Sequence, residues 1–299
     1  MTEGNPQKLT RIGVFYDGNY FLHVSNYYNY VHSRQRRLSI AGLHAFIRDQ
    51  VGREESAKTE LCRITDAHYF RGRISAQDAA QRGNQLYYER VFDDILMSEG
   101  LVTHYFPIKS FHGKREEKNV DVYLALEAYD MAMSGKMDVL VLIASDGDFV
   151  PLIRKLNAMG IRVMLLCWDF DFTNDEGQKV ITRTSQGLLK EVTYPVKMHE
   201  LIESQNGATD PLLVNLFVQD DPGSANKSYS QDNEVHVGDV LSLKNGYGFI
   251  SYPNNNLFFH YTDLINVDFT DLLVGDTVEF TIERKHNGQD VAKTVKKVR

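Results

Sequence analysis

Two groups of side chains in this sequence stand where chemistry needs them. Asp17 closes the apolar run Ile12-Gly13-Val14-Phe15-Tyr16, and Asp146 and Asp148 follow the run Leu140-Val141-Leu142-Ile143-Ala144-Ser145. A carboxylate at the end of a buried segment is costly unless something pairs with it. Asp121 lies in the first turn of a helical stretch that opens at Asn119. Two carboxylates ~5 Å apart repel by ~3 kcal/mol at an effective dielectric of ~20. If these acids meet, they stay ionised only with a cation. Oxygen donors with no cysteine or histidine in step suit Mg²⁺ or Mn²⁺. The second group is aromatic: Tyr247, Phe249, Phe258 and His260, with Lys244 beside them, on two short alternating segments.

The elements around the acids say whether they meet. Residues 11–17, 63–70, 102–106, 137–144 and 161–167 read as strands, and helical periodicity lies at 77–99, 119–134 and 149–159. Such alternation, with near-continuous apolar strands, means an α/β domain whose parallel sheet is covered on both faces. Ligands bind outside the carboxyl ends of such strands. Asp17, Asp146 and Asp148 fall at those ends. A helix crossing between parallel strands starts at the same edge, so Asp121 is expected there too. Ala125, Ala128 and Ala132 let that helix approach the sheet closely.

Asn19 and Ser145 are neutral and suited to orient a carboxylate or a water. Asp169 and Asp171 follow strand 161–167 and are expected at the rim; Glu127 falls away from Asp121 on its helix. Each acid also has a blander use. Asp146 or Asp148 can cap the helix near Phe149, Asp17 can belong to a turn with Gly18, and Asp121 can serve the helix dipole. Four acids on one edge weigh against four separate coincidences.

The rest of the chain sets the frame. It has 299 residues, 42% hydrophobic and 24% charged, a folded composition with room for two domains. The net charge of −7, taken alone, argues against a nucleic-acid partner, since such partners favour basic surfaces, but local distribution matters more than the total. The clusters Arg34, Arg36 and Arg37, Arg71 and Arg73, and Lys114, Arg115 and Lys118 each read as a solvated face. No apolar run approaches the ~20 residues of a membrane span. The stretch MTEGNPQKLTR lacks the apolar core of a signal peptide. Cys62 and Cys167 have no metal-binding spacing and fit a reducing cytoplasm.

The first domain is expected over 9–205, with a linker over 206–234 whose residues 219–234 are polar and rich in Ser, Asn, Asp and Gly. Residues 235–299 carry only short strands between turn residues, which reads as a small all-β barrel or sandwich. Alternation puts Tyr247 and Phe249 on one face. Phe258 and His260 likewise share a face, with Phe259 turned inward. Glycines beside the aromatics keep that surface low. Stacking a base on an aromatic ring contributes ~1–3 kcal/mol. The alternative, that these rings form the core, is limited because alternation allows only half of them inside.

Three stretches in order, Asp17-Gly18-Asn19, Lys118-Asn119-Val120-Asp121-Val122, and Ser145-Asp146-Gly147-Asp148-Phe149-Val150-Pro151-Leu152, resemble the NYN family of PIN-like ribonucleases in its LabA-like branch. The resemblance covers about residues 9–170. It implies a PIN-like three-layer α/β/α fold and acids that hold Mg²⁺ or Mn²⁺ for hydrolysis of RNA phosphodiester bonds. By position those acids are Asp17, Asp121, Asp146 and Asp148. The stretch 21–37, FLHVSNYYNYVHSRQRR, departs from the family in its tyrosines and arginines, which suit stacking bases or packing a partner.

Lys244-Asn245-Gly246-Tyr247-Gly248-Phe249-Ile250 and Leu257-Phe258-Phe259-His260-Tyr261 resemble the two ribonucleoprotein-type motifs of a cold-shock domain, an OB-fold that binds single-stranded RNA or DNA. Ser242 stands where such domains usually carry tryptophan. Residues 235–299 hold 7 Lys and Arg against 8 Asp and Glu. Lys293, Lys296, Lys297 and Arg299 gather at the end, where they suit the phosphate backbone. The reading is a cytoplasmic, metal-dependent ribonuclease with a single-strand-binding module. Its rivals are a non-catalytic RNA-binding regulator and a phosphatase. The phosphatase type usually carries a second acid two residues after the first, where this chain has Asn19.

Overall fold

The computed structural model describes residues 9–80, 85–111, 114–116, 119–173, 178–219, 232–244, 247–253, 256–260, 263–267, 269–284 and 290–298. Residues 173–179 set aside, contacts divide the chain into one compact unit that ends at Val218 and another from Gln219 onward.

The first unit runs β1 (Thr10–Asp17), α1 (Gly18–Tyr30), α2 (Ile40–Glu54), β2 (Cys62–Arg73), α3 (Ala76–Ala80), α4 (Gln85–Ser98) and β3 (Val102–Pro107). It continues through β4 (Lys109–Phe111), β5 (Lys114–Glu116), α5 (Val120–Met133), β6 (Val139–Ile143), α6 (Val150–Ala158) and β7 (Arg162–Cys167). Then come β8 (Phe170–Thr173), β9 (Lys179–Thr182), α7 (Gln186–Glu191), β10 (Tyr194–Lys197), α8 (Met198–Glu203) and α9 (Pro211–Val214). Six strands form one sheet in the order β10-β7-β6-β1-β2-β3, and every pair in it is parallel.

Chain order reverses between β1 and β6, so the crevice at their carboxyl ends is the switch point where ligands of such sheets bind. Side chains alternate across the sheet. Ile12, Val14 and Tyr16 face a core built with α1 and α2. Phe15, Leu140 and Leu142 face the core under α5 and α6. All five residues of β6 are buried, as its unbroken apolar run requires.

Two expectations for this unit are corrected, the stacking use of the tyrosine-rich stretch and the extent of the linker, and a third is described in part. The tyrosine-rich stretch is not a free stacking surface: residues 18–30 form α1, and Tyr20, Phe21, Val24 and Tyr28 are buried in it. Their spacing of three or four residues is an apolar helix face. The single helix expected at 77–99 is described as α3 and α4, with residues 81–84 outside the described part. Residues 206–218 are not all linker. Asp210 caps α9, and Leu213, Leu216 and Phe217 enter the first core. Val218 N–H there donates to Arg37 O at 2.9 Å.

The second unit is a closed barrel in the order β11-β12-β13-β15-β14. Its strands are β11 (Asp232–Lys244), β12 (Tyr247–Ile250), β13 (Leu257–His260), β14 (Thr277–Arg284) and β15 (Asp290–Lys297). Closure leaves no free sheet edge. Val240, Ile250, Leu257, Phe259, Val278 and Phe280 are among the residues that fill it. No described helix in either unit is long and apolar enough to cross a membrane.

Candidate functional site

Asp17 ends β1 and caps α1, its Oδ1 accepting from the N–H groups of Asn19 and Tyr20, both at 3.1 Å. This cap needs Gly18. A Cβ there would lie 2.5 Å from Phe70 O and 2.6 Å from the Tyr69 ring. Tyr69 Oη donates to Gly18 O at 3.0 Å and holds the junction. Tyr20 Oη donates to Trp168 O and accepts from Trp168 N–H, so α1 is also tied to the end of β7. Asn19 is exposed in the first turn of α1.

Beside β1, β6 delivers Ser145, Asp146 and Asp148 to the same edge, with Tyr16 level with Ile143 in the register. Asp146 Oδ1 accepts from Asp148 N–H at 3.0 Å and caps the tight turn Gly147–Phe149. Both acids are exposed to water. Ser145 contributes its carbonyl, which accepts from Ser185 N–H at 2.9 Å.

Asp121 comes from the first turn of α5. Asn119 enters that helix with φ 72°, in the left-handed region that asparagine tolerates better than most residues; Lys118 lies outside the described residues. Partial burial raises the Asp121 carboxyl above its ordinary value, and the charges of Asp146 and Asp148 raise it further. Asp146 and Asp148 therefore lie near enough for their charges to act on Asp121. The charge of Asp17 is felt at Tyr20 and Tyr69.

Among the described residues, no three His, Cys, Asp or Glu side chains stand close enough to share one ion. The expected convergence of four carboxylates on one ion is not found among the described residues. The physical reason is visible: Asp17 and Asp146 each use an oxygen as a cap, and mutual repulsion opposes closer approach. The donor set still fits a hard cation. All its donors are carboxylate oxygens, two of the acids are open to water, and Mg²⁺ keeps several waters and takes few carboxylates directly. Excess negative charge at Asp121 is what such an ion would relieve.

The flanking acids have other partners. Asp169 Oδ1 accepts from Thr184 N–H at 2.8 Å and Oγ1 at 2.7 Å, and Asp171 pairs with Arg183 at 3.3 Å. Both line a neighbouring cleft of about 390 Å³ with Tyr27 and His199. Glu127 acts on His68 and His104, opposing the lowering of both imidazoles that their burial causes.

On the barrel, alternation holds. Tyr247, Phe249, Phe258 and His260 are half-exposed, while Gly248, Ile250, Leu257 and Phe259 are buried. The register sets Phe249 opposite Phe258 and Tyr247 opposite His260. Ring centroids of Tyr247 and Phe258 are 5.5 Å apart, and those of Phe249 and Phe258 are 5.9 Å apart. Ser242 pairs with Phe249 from β11. Gly248 does not flatten the outer face as expected; it points inward, where a Cβ would meet the Phe259 ring at 2.6 Å. The Lys244 side chain, Asn245, Gly246, Tyr261 and Arg299 lie outside the described residues. The terminal lysines are less free than expected: Lys293 pairs with Asp263 at 2.8 Å and Lys297 with Asp276 at 2.7 Å.

A doubly wound α/β unit with acids at its switch point, joined in one chain to a closed barrel with an aromatic face, is the architecture of a nucleic-acid-binding protein. The model of the NYN domain family matches residues 11–186, more than half of the chain, and that of the 'Cold-shock' DNA-binding domain matches 237–298. The chain belongs to the NYN domain family, within the nuclease superfamily, and carries a cold-shock domain behind the NYN domain. Among solved structures, a protein of unknown function from Vibrio parahaemolyticus is similar at 17% identity, over 65% of this chain and 95% of that one, with a TM-score of 0.42. No curated protein matches the chain.

Proposed function

We propose that this protein is a metal-dependent ribonuclease that hydrolyses phosphodiester bonds of single-stranded RNA and uses its barrel to hold the strand. The observation that carries the reading is the position of Asp17 and Asp146 at the ends of neighbouring strands and of Asp121 in the first turn of α5, where the charges of Asp146 and Asp148 reach Asp121. With Asp17 from the neighbouring strand, these are the carboxylates that would hold Mg²⁺ or Mn²⁺, directly or through its waters. Bound there, the ion would supply an activated water for in-line attack on phosphorus and stabilisation of the leaving oxygen, chemistry that gives a 5′-phosphate and a 3′-hydroxyl.

The chain's own groups position the reactants. The exposed amide of Asn19 and the Ser145 hydroxyl orient water or a phosphate oxygen. Tyr247, Phe249, Phe258 and His260, with Lys244, stack bases and guide the backbone of RNA or single-stranded DNA. Catalysis belongs to residues 9–205 with the α9 segment that completes their core. Capture belongs to 235–299. Both cysteines are free and buried, which suits a reducing cytoplasm.

The test is cleavage of labelled single-stranded RNA with Mn²⁺ or Mg²⁺ and with chelator. Cutting that needs the ion supports the reading. RNA that is bound tightly but stays whole with either ion makes the protein a non-catalytic RNA-binding regulator.

A further inference from the structure

The cleft beside the acid edge suits a ligand that is flatter and less charged than a phosphate. Its acids outnumber its cations, with Asp169, Asp171 and Glu203 against Arg183. Tyr27 of α1 is half-buried and stacks on Phe170, with ring centroids 4.1 Å apart and planes at 13°, which gives the cleft a flat aromatic wall. Two of the acids are already engaged: Asp169 accepts from Thr184, and Asp171 pairs with Arg183. Glu203 differs, because it is exposed at the end of α8 and its neighbour His32 lies 4.0 Å away. Burial lowers that imidazole, so it is neutral at pH 7 and leaves Glu203 its full charge.

His199 stands one helical turn before Glu203 on α8, so the two side chains share a face. Its Nδ1 accepts from Asp169 N–H at 3.0 Å, which puts the proton of the neutral ring on Nε2 as a donor. Glu200 lies 3.9 Å from that Nε2, beyond hydrogen-bond reach. The cleft thus offers a carboxylate acceptor and an N–H donor side by side, next to an aromatic wall. Hydrogen bonds tie it to the acids. Tyr20 N–H donates to Asp17, and Tyr20 Oη bonds the backbone of Trp168, the residue before Asp169. Thr184 binds Asp169, while the next residue, Ser185, donates its N–H to the carbonyl of Ser145, the residue before Asp146. Asp146 and Asp169 each lie three residues beyond the paired Ile143 and Leu166, so cleft and acids open on one carboxyl edge.

Guanine is the RNA base that fits this pair. Its Watson–Crick edge sets two adjacent donors, N1–H and the 2-amino group, beside the O6 acceptor, and a carboxylate takes two donors at once. Uracil, adenine and cytosine have no two adjacent donor groups on that edge. We infer that the cleft binds a guanine base of the RNA strand next to the bond presented to Asp17, Asp121, Asp146 and Asp148, with Glu203 accepting from N1–H and the 2-amino group and His199 donating to O6. The inference rests on the proposed nuclease reading for its RNA ligand, but not for its measurement. Glu203 sets specificity and transfers no proton.

The experiment measures binding of short labelled uridine oligomers to the full chain with chelator present, so that the RNA stays whole. One oligomer carries a single guanosine, a second carries inosine there, which lacks the 2-amino group, and a third carries adenosine. The barrel stacks all three alike, since stacking tolerates any base, and the differences report on the cleft. The parent should bind the guanosine oligomer about tenfold more tightly than either of the others, the scale of one bidentate base contact. Glu203→Gln, at an exposed position and checked by thermal melting, should bind the guanosine oligomer no better than the inosine one. Equal affinity of the parent for guanosine and inosine, or a guanosine preference that survives in Glu203→Gln, overturns the inference. With Mn²⁺ the parent should cut beside the guanosine, and cuts spread evenly along the oligomer overturn the placement. Failure of the nuclease reading looks different: the parent leaves RNA whole with Mn²⁺, while the guanosine preference in chelator still reports on the cleft.

Discussion

The acid edge of the first unit and the aromatic face of the barrel are held in opposite ways. The charges of Asp146 and Asp148 act against that of Asp121, and the surrounding fold keeps the three in place. The buried strand β6 and the helix α5 fix their places. On the barrel, Tyr247, Phe249 and Phe258 meet one another edge-on or tilted at 5.5 to 6.1 Å between centroids, contacts that are favourable in themselves. A surface under electrostatic stress is completed by charge of the other sign. A surface of satisfied rings is completed by more flat rings. The first difference points to a cation, the second to bases.

The sharpest way to break this contrast is Asp121→Asn. RNA cleavage should fall by more than the ~10–100-fold that loss of an outer-shell metal partner typically costs. The same change should stabilise the metal-free protein. A carboxyl raised in the folded state contributes stability that is full below its unfolded value and is lost as pH rises through the raised folded value. Above the raised value the ionised carboxylate carries that loss, and the neutral amide removes it. The melting temperature with chelator should rise. A lower melting temperature contradicts the account of a stressed edge.

The barrel should behave in the opposite way, with binding and stability failing together. In Gly248→Ala the new Cβ meets the Phe259 ring at 2.6 Å and Ser242 O at 2.8 Å. Such overpacking costs about 1–3 kcal/mol. Denaturant unfolding should show the loss in the barrel, and RNA affinity should fall as β12 shifts. An unchanged barrel midpoint would show that Phe259 can move aside freely.

Phe249→Ala or Phe258→Ala is milder. Loss of one stacked base costs ~1–3 kcal/mol, or about tenfold in half-saturating RNA, and cleavage at saturating RNA should hardly change. A drop in the saturated rate instead would tie the aromatic face to the chemistry.

The smallest expected effect lies between the sheet and α5. His68 Nδ1 and His104 Nε2 are 2.9 Å apart. Burial lowers both imidazoles, His104 lowers His68 further, and Glu127 and Asp66 oppose the shift. Groups lowered in the folded state give full stability above their unfolded value near 6.5, and lose it as pH falls toward the lowered one. His68→Phe should flatten the stability profile as pH falls below about 6.5. A profile as steep as the parent's would assign the acid loss to other groups.

How much of this the sequence carried depends on the range of the interaction. Tyr247, Phe249, Phe258 and Phe259 were readable because a two-residue alternation is local and needs no knowledge of partners. The shared edge of Asp17, Asp121, Asp146 and Asp148 was readable one step further out, from strand direction and crossover rules. Their spacing was not, because it depends on which oxygens become caps, and α1 itself was missed. Its tyrosines looked like a surface because aromatic rings with polar tips suit both a core and an interface. Leu213, Leu216 and Phe217 were hidden by their position between polar segments. The ion pairs of Lys293 and Lys297 depend on a barrel register that composition does not reveal.

The central claim is that the acids at the switch point are the catalytic donors, and Asp146→Asn tests it most directly. The measurement is the rate of cleavage of labelled single-stranded RNA with Mn²⁺, for the parent and the variant, with a thermal melt of each. The account expects cleavage by the parent, none by the variant, and a variant that melts no lower than the parent. A variant that melts normally and still cuts RNA at the parent's rate contradicts it.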